Sequence, residues 1–207
     1  MHRLKMGFLA VLVLGAAAFT PIKKFAAYEF VVAAEGNEAR YRVREQLAGF
    51  DFPNDAIGRT TGVTGAIAFD AKGNVVSAES KIVVDVTKLT SDKERRDGYV
   101  QRRTLETETH PTVTLVPTKV TGIAFPLPKS GKRAFEMTAN LTVRGVTGPT
   151  TWKGEVNFVN GKITGTAATS FTFEEFSMTK PSVRSVLSVD DTIKLEYDFT
   201  FVPAAKQ

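Results

Sequence analysis

The feature that most limits what this chain folds into is an alternation of apolar and polar residues that runs from Tyr28 to near the C-terminus. In residues 192–201, Ile193, Leu195, Tyr197, Phe199 and Phe201 fall on one side of an extended chain; Thr192, Lys194, Glu196, Asp198 and Thr200 fall on the other. Successive side chains of a strand point to opposite faces, so this is a strand with one buried face. The same period sets Phe135, Met137, Ala139, Leu141 and Val143 against Glu136, Thr138, Asn140 and Thr142, and Trp152, Val156 and Phe158 against Lys153, Glu155 and Asn157. Further strands are expected at 40–47, 60–70, 75–86, 112–122 and 162–173, eight in all. Turn residues separate them at 70–74, 129–132, 145–149 and Asn160-Gly161, the last a strong hairpin signal because both residues tolerate positive φ.

One segment breaks the period. Residues 92–105 lack proline and are dense in charge, with Tyr99 and Leu105 as their main apolar contacts. Ser91 with Glu94 three residues on has the form of a capping box, so a surface helix that caps something is expected. Evenly spaced antiparallel strands with a lone helix favour a closed barrel or a sandwich. An eight-stranded barrel is either filled by its own side chains or holds one small ligand, and the pattern alone leaves that choice open.

The first residues follow another logic. Arg3 and Lys5 precede an uncharged apolar run from Met6 to Phe19, and Ala16-Ala17-Ala18 offers the small residues that signal peptidase accepts. Residues 1–18 are expected to be a signal peptide, with leader or linker up to about 27 and the folded domain over 28–203. An uncleaved anchor is the alternative, since Met6 to Ile22 is just long enough to span a bilayer. The leader also changes the charge. Lys+Arg outnumber Asp+Glu 27 to 22 in the whole chain, a net +5. Without Arg3 and Lys5 the balance is 25 to 22, or +3, and without Lys23 and Lys24 as well it is 23 to 22, or +1. A nearly neutral domain argues against nucleic acid, which needs a clustered basic face. The chain has no Cys, which excludes disulfides, thiolate chemistry and a lipidated cysteine.

Little in the domain suggests catalysis or metal binding. His110 is its only histidine, stands directly before Pro111, and no Gly-x-Ser-x-Gly elbow accompanies it. Zinc sites draw on several His or Cys ligands. Asp190-Asp191 and Glu174-Glu175 are the remaining cation candidates, though adjacent acids are commonly turn formers or caps. No cofactor, no metal and no catalytic residue are therefore expected.

The apolar constellation is more informative. The strand phases send Phe69, Phe135, Met137, Leu141, Trp152, Val156, Phe171, Phe173, Leu195, Tyr197 and Phe199 inward, together with Ile82, Val84, Leu115 and Phe201. A packed core is one reading. The other is a ligand site, because Gly65, Ala139, Gly154, Gly165 and Ala167 on the same face leave space along the axis. Three connections are also apolar: Phe50, Phe52, Pro53 and Ile57; Ile123, Phe125, Pro126, Leu127 and Pro128; and Phe176, Met178, Val183, Val186 and Leu187. They would form an entrance, a lid or a plug.

Several segments resemble the YceI-like family of secreted, lipocalin-like barrels. Arg96-Asp97 in a capped helix is similar to that family's Arg-Asp pair, and Thr104-Leu105 followed by His110-Pro111-Thr112-Val113-Thr114-Leu115 to its next stretch. Leu141-Thr142-Val143-Arg144-Gly145-Val146-Thr147 with Pro149 resembles its Leu-Thr-Ile-x-Gly-Val-Thr-x-Pro hairpin, and 173–178 its late Asp-Phe-Gly-Met segment. Two departures mark a divergent member: Ser177 replaces a common Gly, and Ala39-Arg40-Tyr41-Arg42-Val43 with Gln46 replaces an aromatic and His start. The resemblance implies an all-β fold, an eight-stranded antiparallel lipocalin-like β-barrel with one surface helix. It further implies a non-enzymatic, periplasmic or secreted protein whose interior binds a long-chain isoprenoid lipid such as a polyprenyl quinone or polyprenyl phosphate. The eleven inward residues from Phe69 to Phe199 would hold the chain, with Arg96, Tyr99 or Lys180 near a head group. Transient membrane contact fits this reading, and the oligomeric state stays open, a homodimer included. The rival reading is an interaction module with a packed core, docking through its apolar loops on an envelope or membrane electron-transport partner.

Overall fold

A computed structural model of the chain describes residues 26–205. The expected signal peptide, 1–18, lies outside the described residues, as does most of the leader up to about 27. The strands are β1 (Tyr28–Val32), β2 (Glu38–Leu47), β3 (Asn54–Thr60), β4 (Val63–Phe69), β5 (Lys81–Asp85), β6 (Thr112–Thr121), β7 (Ser130–Val143), β8 (Val146–Val159), β9 (Lys162–Thr172) and β10 (Val186–Pro203). All pairings are antiparallel. They run β1, β4, β5, β6, β7, β8, β9, β10, and β10 returns to β1 through Phe30 opposite Pro203 and Val32 opposite Phe201. β2 and β3 continue the lines of β1 and β4, pairing with each other and, through β2, with the first part of β10. Ten segments therefore make eight staves of one closed barrel.

Two of those staves are broken, which explains where segmentation by pattern fell short. Residues 33–37 bulge out of the first, and Asn37 replaces the lost ladder bonds. Its Nδ2 donates to the Ala33 carbonyl at 2.8 Å, and its Oδ1 accepts from the Thr200 amide at 3.0 Å and the Tyr197 hydroxyl at 2.9 Å. β1 and β3 were not expected as strands, and Ile57, assigned to a loop, stands on β3. The strand expected over 75–86 shortens to β5. Before it lie a lone bridge from Phe69 to Val75 and a 3₁₀ turn at Ser77–Glu79, where Ser80 accepts from the Ala68 amide and donates to the Val76 carbonyl, both at 2.9 Å.

Tight turns set the long hairpins. Asn160 and Gly161 have φ of 50° and 81°, and Arg144 and Gly145 have 49° and 76°, the pair of left-handed residues that matches the twist of the flanking strands. The second turn is thus confined to two residues, and Val146 to Pro149 belong to β8 rather than to the turn expected at 145–149. Likewise the 129–132 turn gives way early, because β7 already starts at Ser130.

The helix is α1 (Glu94–Tyr99), which widens into a π turn at Val100–Thr104. The expected box between Ser91 and Glu94 is not formed. Ser91 Oγ instead donates to Asp97 Oδ1 at 2.6 Å and accepts from Arg96 Nη1 at 3.1 Å, tying the entering chain to the first turn of the helix.

The barrel has two unlike ends. At one, the β6–β7 connection folds over the opening as a plug. Phe125 packs on Tyr28 and Phe69 with ring centroids 5.5 and 5.3 Å apart, and Ile123 and Leu127 join the core. At the other end lie α1, the 48–53 connection and the 173–185 connection.

Candidate functional site

Near the plug the interior is filled by rings laid over glycines. Phe135 stands directly across from Gly154, and Phe199 from Gly165. A Cβ on Gly154 would come within 2.9 Å of the Phe135 ring, and one on Gly165 within 2.5 Å of the Phe199 ring. Gly154 and Gly165, which suggested free space along the axis, are therefore the floors on which opposing rings rest. Only about 90 Å³ of space remains in this half.

Toward the helix the barrel is hollow. A cavity of about 610 Å³ lies under α1 and the π turn, with Tyr99, Val100, Thr104 and Leu105 above it. Of the eleven candidate residues, Leu141, Phe171, Phe173 and Leu195 line this cavity; Phe69, Phe135, Met137, Val156 and Phe199 line the small space; Trp152 and Tyr197 border both. Together with Ile82 and Leu115, Trp152 and Tyr197 form a waist between the two spaces. The waist is rigid. Trp152 Nε1 donates to Thr150 Oγ1 at 3.0 Å, and the Tyr197 hydroxyl is held by Asn37 in the bulge.

The roof is fastened by a buried ion pair that the sequence reading missed. Arg96 of α1 reaches Glu45 of β2 at 2.5 Å and also pairs with Asp92; Asn54 donates to the same Glu45 oxygen at 3.4 Å. Glu45 occupies an inward position in the phase of Tyr41 and Val43. That phase was visible in the sequence, and an acid at an inward position was the signal to look for a cation. Tyr41, Val43, Ala56 and Met178 are further lining residues outside the eleven.

Burial pushes the Tyr41 phenol up to about 12, against the pull of nearby Arg96, and burial alone raises Tyr197 further above the ordinary tyrosine range. On the outer face, Arg40 bridges Asp198, at 2.5 and 3.0 Å, and Glu38, at 2.8 Å, while Arg42 joins Asp55 at 2.9 Å and Glu196 at 3.3 Å. Burial by itself would raise Glu196, but hydrogen bonds from Lys194 and Arg42 outweigh it and hold the carboxyl down at about 2. The arginines of the divergent 39–43 segment are thus a strap across β3, β2 and β10.

The remaining candidates separate cleanly. Tyr99 lines the cavity, Arg96 does so while committed to two carboxylates, and Lys180 is exposed outside the lining. His110 rests against the Arg144-Gly145 turn, away from the cavity. Glu175 caps a turn by accepting from the Thr172 amide at 2.8 Å. Asp190 and Asp191 are exposed at a register shift of β10. Among the described residues no cluster of His, Asp and Glu has a metal-holding arrangement, and no helix is long and apolar enough to cross a membrane. Ser177 has φ of 52°, a left-handed conformation that glycine adopts more readily than serine.

A closed eight-stranded antiparallel barrel, plugged at one end and hollow beneath a helix at the other, is lipocalin-like in architecture. Comparison with known proteins narrows the class: the model of the YceI-like domain matches residues 30–201, and this chain belongs to that family. A UPF0312 protein of Pseudomonas aeruginosa is 28% identical over 149 residues, covering 72% of this chain and 71% of the relative. Among solved structures, the barrel is similar to a polyisoprenoid binding domain from Saccharophagus degradans implicated in plant cell wall breakdown, with a TM-score of 0.61 at 12% identity over 87% of this chain and 100% of that one. It is also similar to BcnA of Burkholderia cenocepacia, with a TM-score of 0.57 at 14% identity over 79% and 95%. The YceI protein of Campylobacter jejuni gives a TM-score of 0.56 at 19% identity over 78% and 91%.

Proposed function

We propose that this protein is a non-enzymatic, periplasmic or secreted carrier that holds one long isoprenoid-type chain in the hollow half of its barrel. The observation that carries the reading is the cavity itself. Protein interiors are close-packed, and about 610 Å³ of apolar-walled space inside one falls in the range of ligand sites. The polyisoprenoid-binding description of one structural relative supports the ligand class. The signal-peptide pattern of residues 1–18 supports export.

Binding of this kind needs little directional chemistry. Each methylene buried against Leu141, Phe171, Phe173 or Leu195 contributes about 0.8 kcal/mol, offset by the ordering of a flexible tail. Arg96 is already neutralised by Glu45 and Asp92, which leaves exposed Lys93 and Arg95 of the same lining to meet a head group.

Protein purified from its own host is expected to release an apolar chain lipid on organic extraction, read by mass spectrometry. Ala56→Phe, which sets a ring into the cavity, should lose that lipid while remaining folded. A clean extract from the unaltered protein overturns the reading. Intact-mass measurement of the exported form tests the leader, with cleavage after Ala18 expected.

A further inference from the structure

The large exposed apolar side chains of the described residues are unevenly placed. Phe50 (62% exposed), Phe52 (80%), Leu187 (67%) and Val183 crowd the hollow end, and Val159 stands at the plugged end. Phe50 and Phe52 sit at the tip of the β2–β3 connection; Val183 and Leu187 lie where the chain enters β10. The Ala48 amide donates to the Ser185 carbonyl at 3.0 Å and Leu47 pairs with Val186, so the two segments are stitched into one ledge.

This ledge is continuous with the cavity. Phe50 and Val183 line the cavity as well as facing out, so apolar surface runs from the Trp152 waist to the outside of the protein. Exposed Lys93 and Arg95 line the same mouth, and exposed Lys180 and Arg184 flank Val183 in the chain; exposed Asp51 and Glu94, with Asp190 and Asp191 beyond Leu187, are the acids on these segments, and Asp92 is engaged by Arg96. Projecting rings flanked by lysine and arginine suit the interfacial region of a bilayer, where apolar side chains enter the acyl boundary and the long cationic side chains reach lipid phosphates. A ligand too apolar to cross water would then pass directly between bilayer and barrel.

We infer that the ledge formed by Phe50, Phe52, Val183 and Leu187 is a membrane-docking surface through which the barrel is loaded and unloaded. The loading role rests on the carrier reading; the docking itself does not. In flotation with phosphatidylcholine vesicles containing a quarter phosphatidylglycerol, the unaltered chain should rise with the vesicles. Partition should fall about tenfold or more in Phe50→Ser/Phe52→Ser, from the loss of two inserted rings, and severalfold in Lys180→Glu/Arg184→Glu. Val159→Ser should leave it unchanged. The substituted rings are exposed, and thermal unfolding of each variant checks that the fold persists.

The inference is overturned if the unaltered chain stays with the soluble fraction, or if the double serine variant floats equally well. It is also overturned if light scattering finds a dimer that the same variant converts to monomer, because the ledge is then a self-interface. Lipid extraction separates the two readings. Bound lipid without vesicle binding removes the docking surface and leaves the carrier, whereas vesicle binding with a clean extract supports the docking surface and removes the carrier.

Discussion

The two ends of this barrel are built from the same staves and yet differ in what they contain. At the plugged end each gap left by a small residue is matched by a large one across the ladder, Phe135 over Gly154 and Phe199 over Gly165. At the helix end the wall residues Leu141, Phe171 and Leu195 border a cavity, and the closure is a helix fastened by an ion pair. One half is close-packed and the other hollow, and the waist at Trp152 and Tyr197 divides them within one closed sheet.

Substitutions at matched positions would break that contrast if it is wrong. The largest effect is expected at the plugged end, where Phe199→Ala should destabilise by about 3–5 kcal/mol, while Leu195→Ala, two residues along the same strand but facing the cavity, should cost clearly less. Urea unfolding of both variants measures the difference, and equal losses would mean that the two halves are packed alike. Next, Arg96→Met leaves Glu45 buried without its cation and should cost about 3 kcal/mol, with faster hydrogen exchange in α1. Retention of wild-type stability would show that the roof is held by packing rather than by the pair.

Ala-to-Phe insertions give a smaller and more diagnostic contrast. At Ala167, across from Gly154, the ring has no room and should cost about 1–3 kcal/mol, whereas at Ala56 it enters the cavity at little cost. Reversal of that order in thermal melts would place the free volume at the wrong end. The smallest effect concerns pH. Tyr41 ionises at about 12 in the folded state and near 10 when unfolded, so its contribution is complete below about pH 10 and is lost as pH rises from there through 12. Phenolate absorbance should show Tyr41 and Tyr197 ionising above the ordinary tyrosine range, and ordinary titration of these two would mean that water fills the hollow end.

The strand phases were legible from residues alone, and so were the turn at Asn160-Gly161 and the family. Alternation tells which way a side chain points. It carries no information on how much room lies in front of it, so five of the eleven inward residues, Phe69, Phe135, Met137, Val156 and Phe199, border the small remnant space rather than the cavity. Deciding that required the cross-strand register, which sets Phe135 against Gly154, 19 positions away. The pair of Glu45 with Arg96 was hidden for the same reason, since 51 residues separate its members. β1 and β3 escaped because a bulge or a two-residue break divides each stave into pieces too short for a period to register.

The seam that closes the barrel joins the first described strand to the last, Phe30 to Pro203. Until β10 pairs with β1, the sheet has two open edges and no enclosed interior. Contacts of such long sequence separation form slowly. The enclosed interior is therefore expected to be among the last parts of the fold to form.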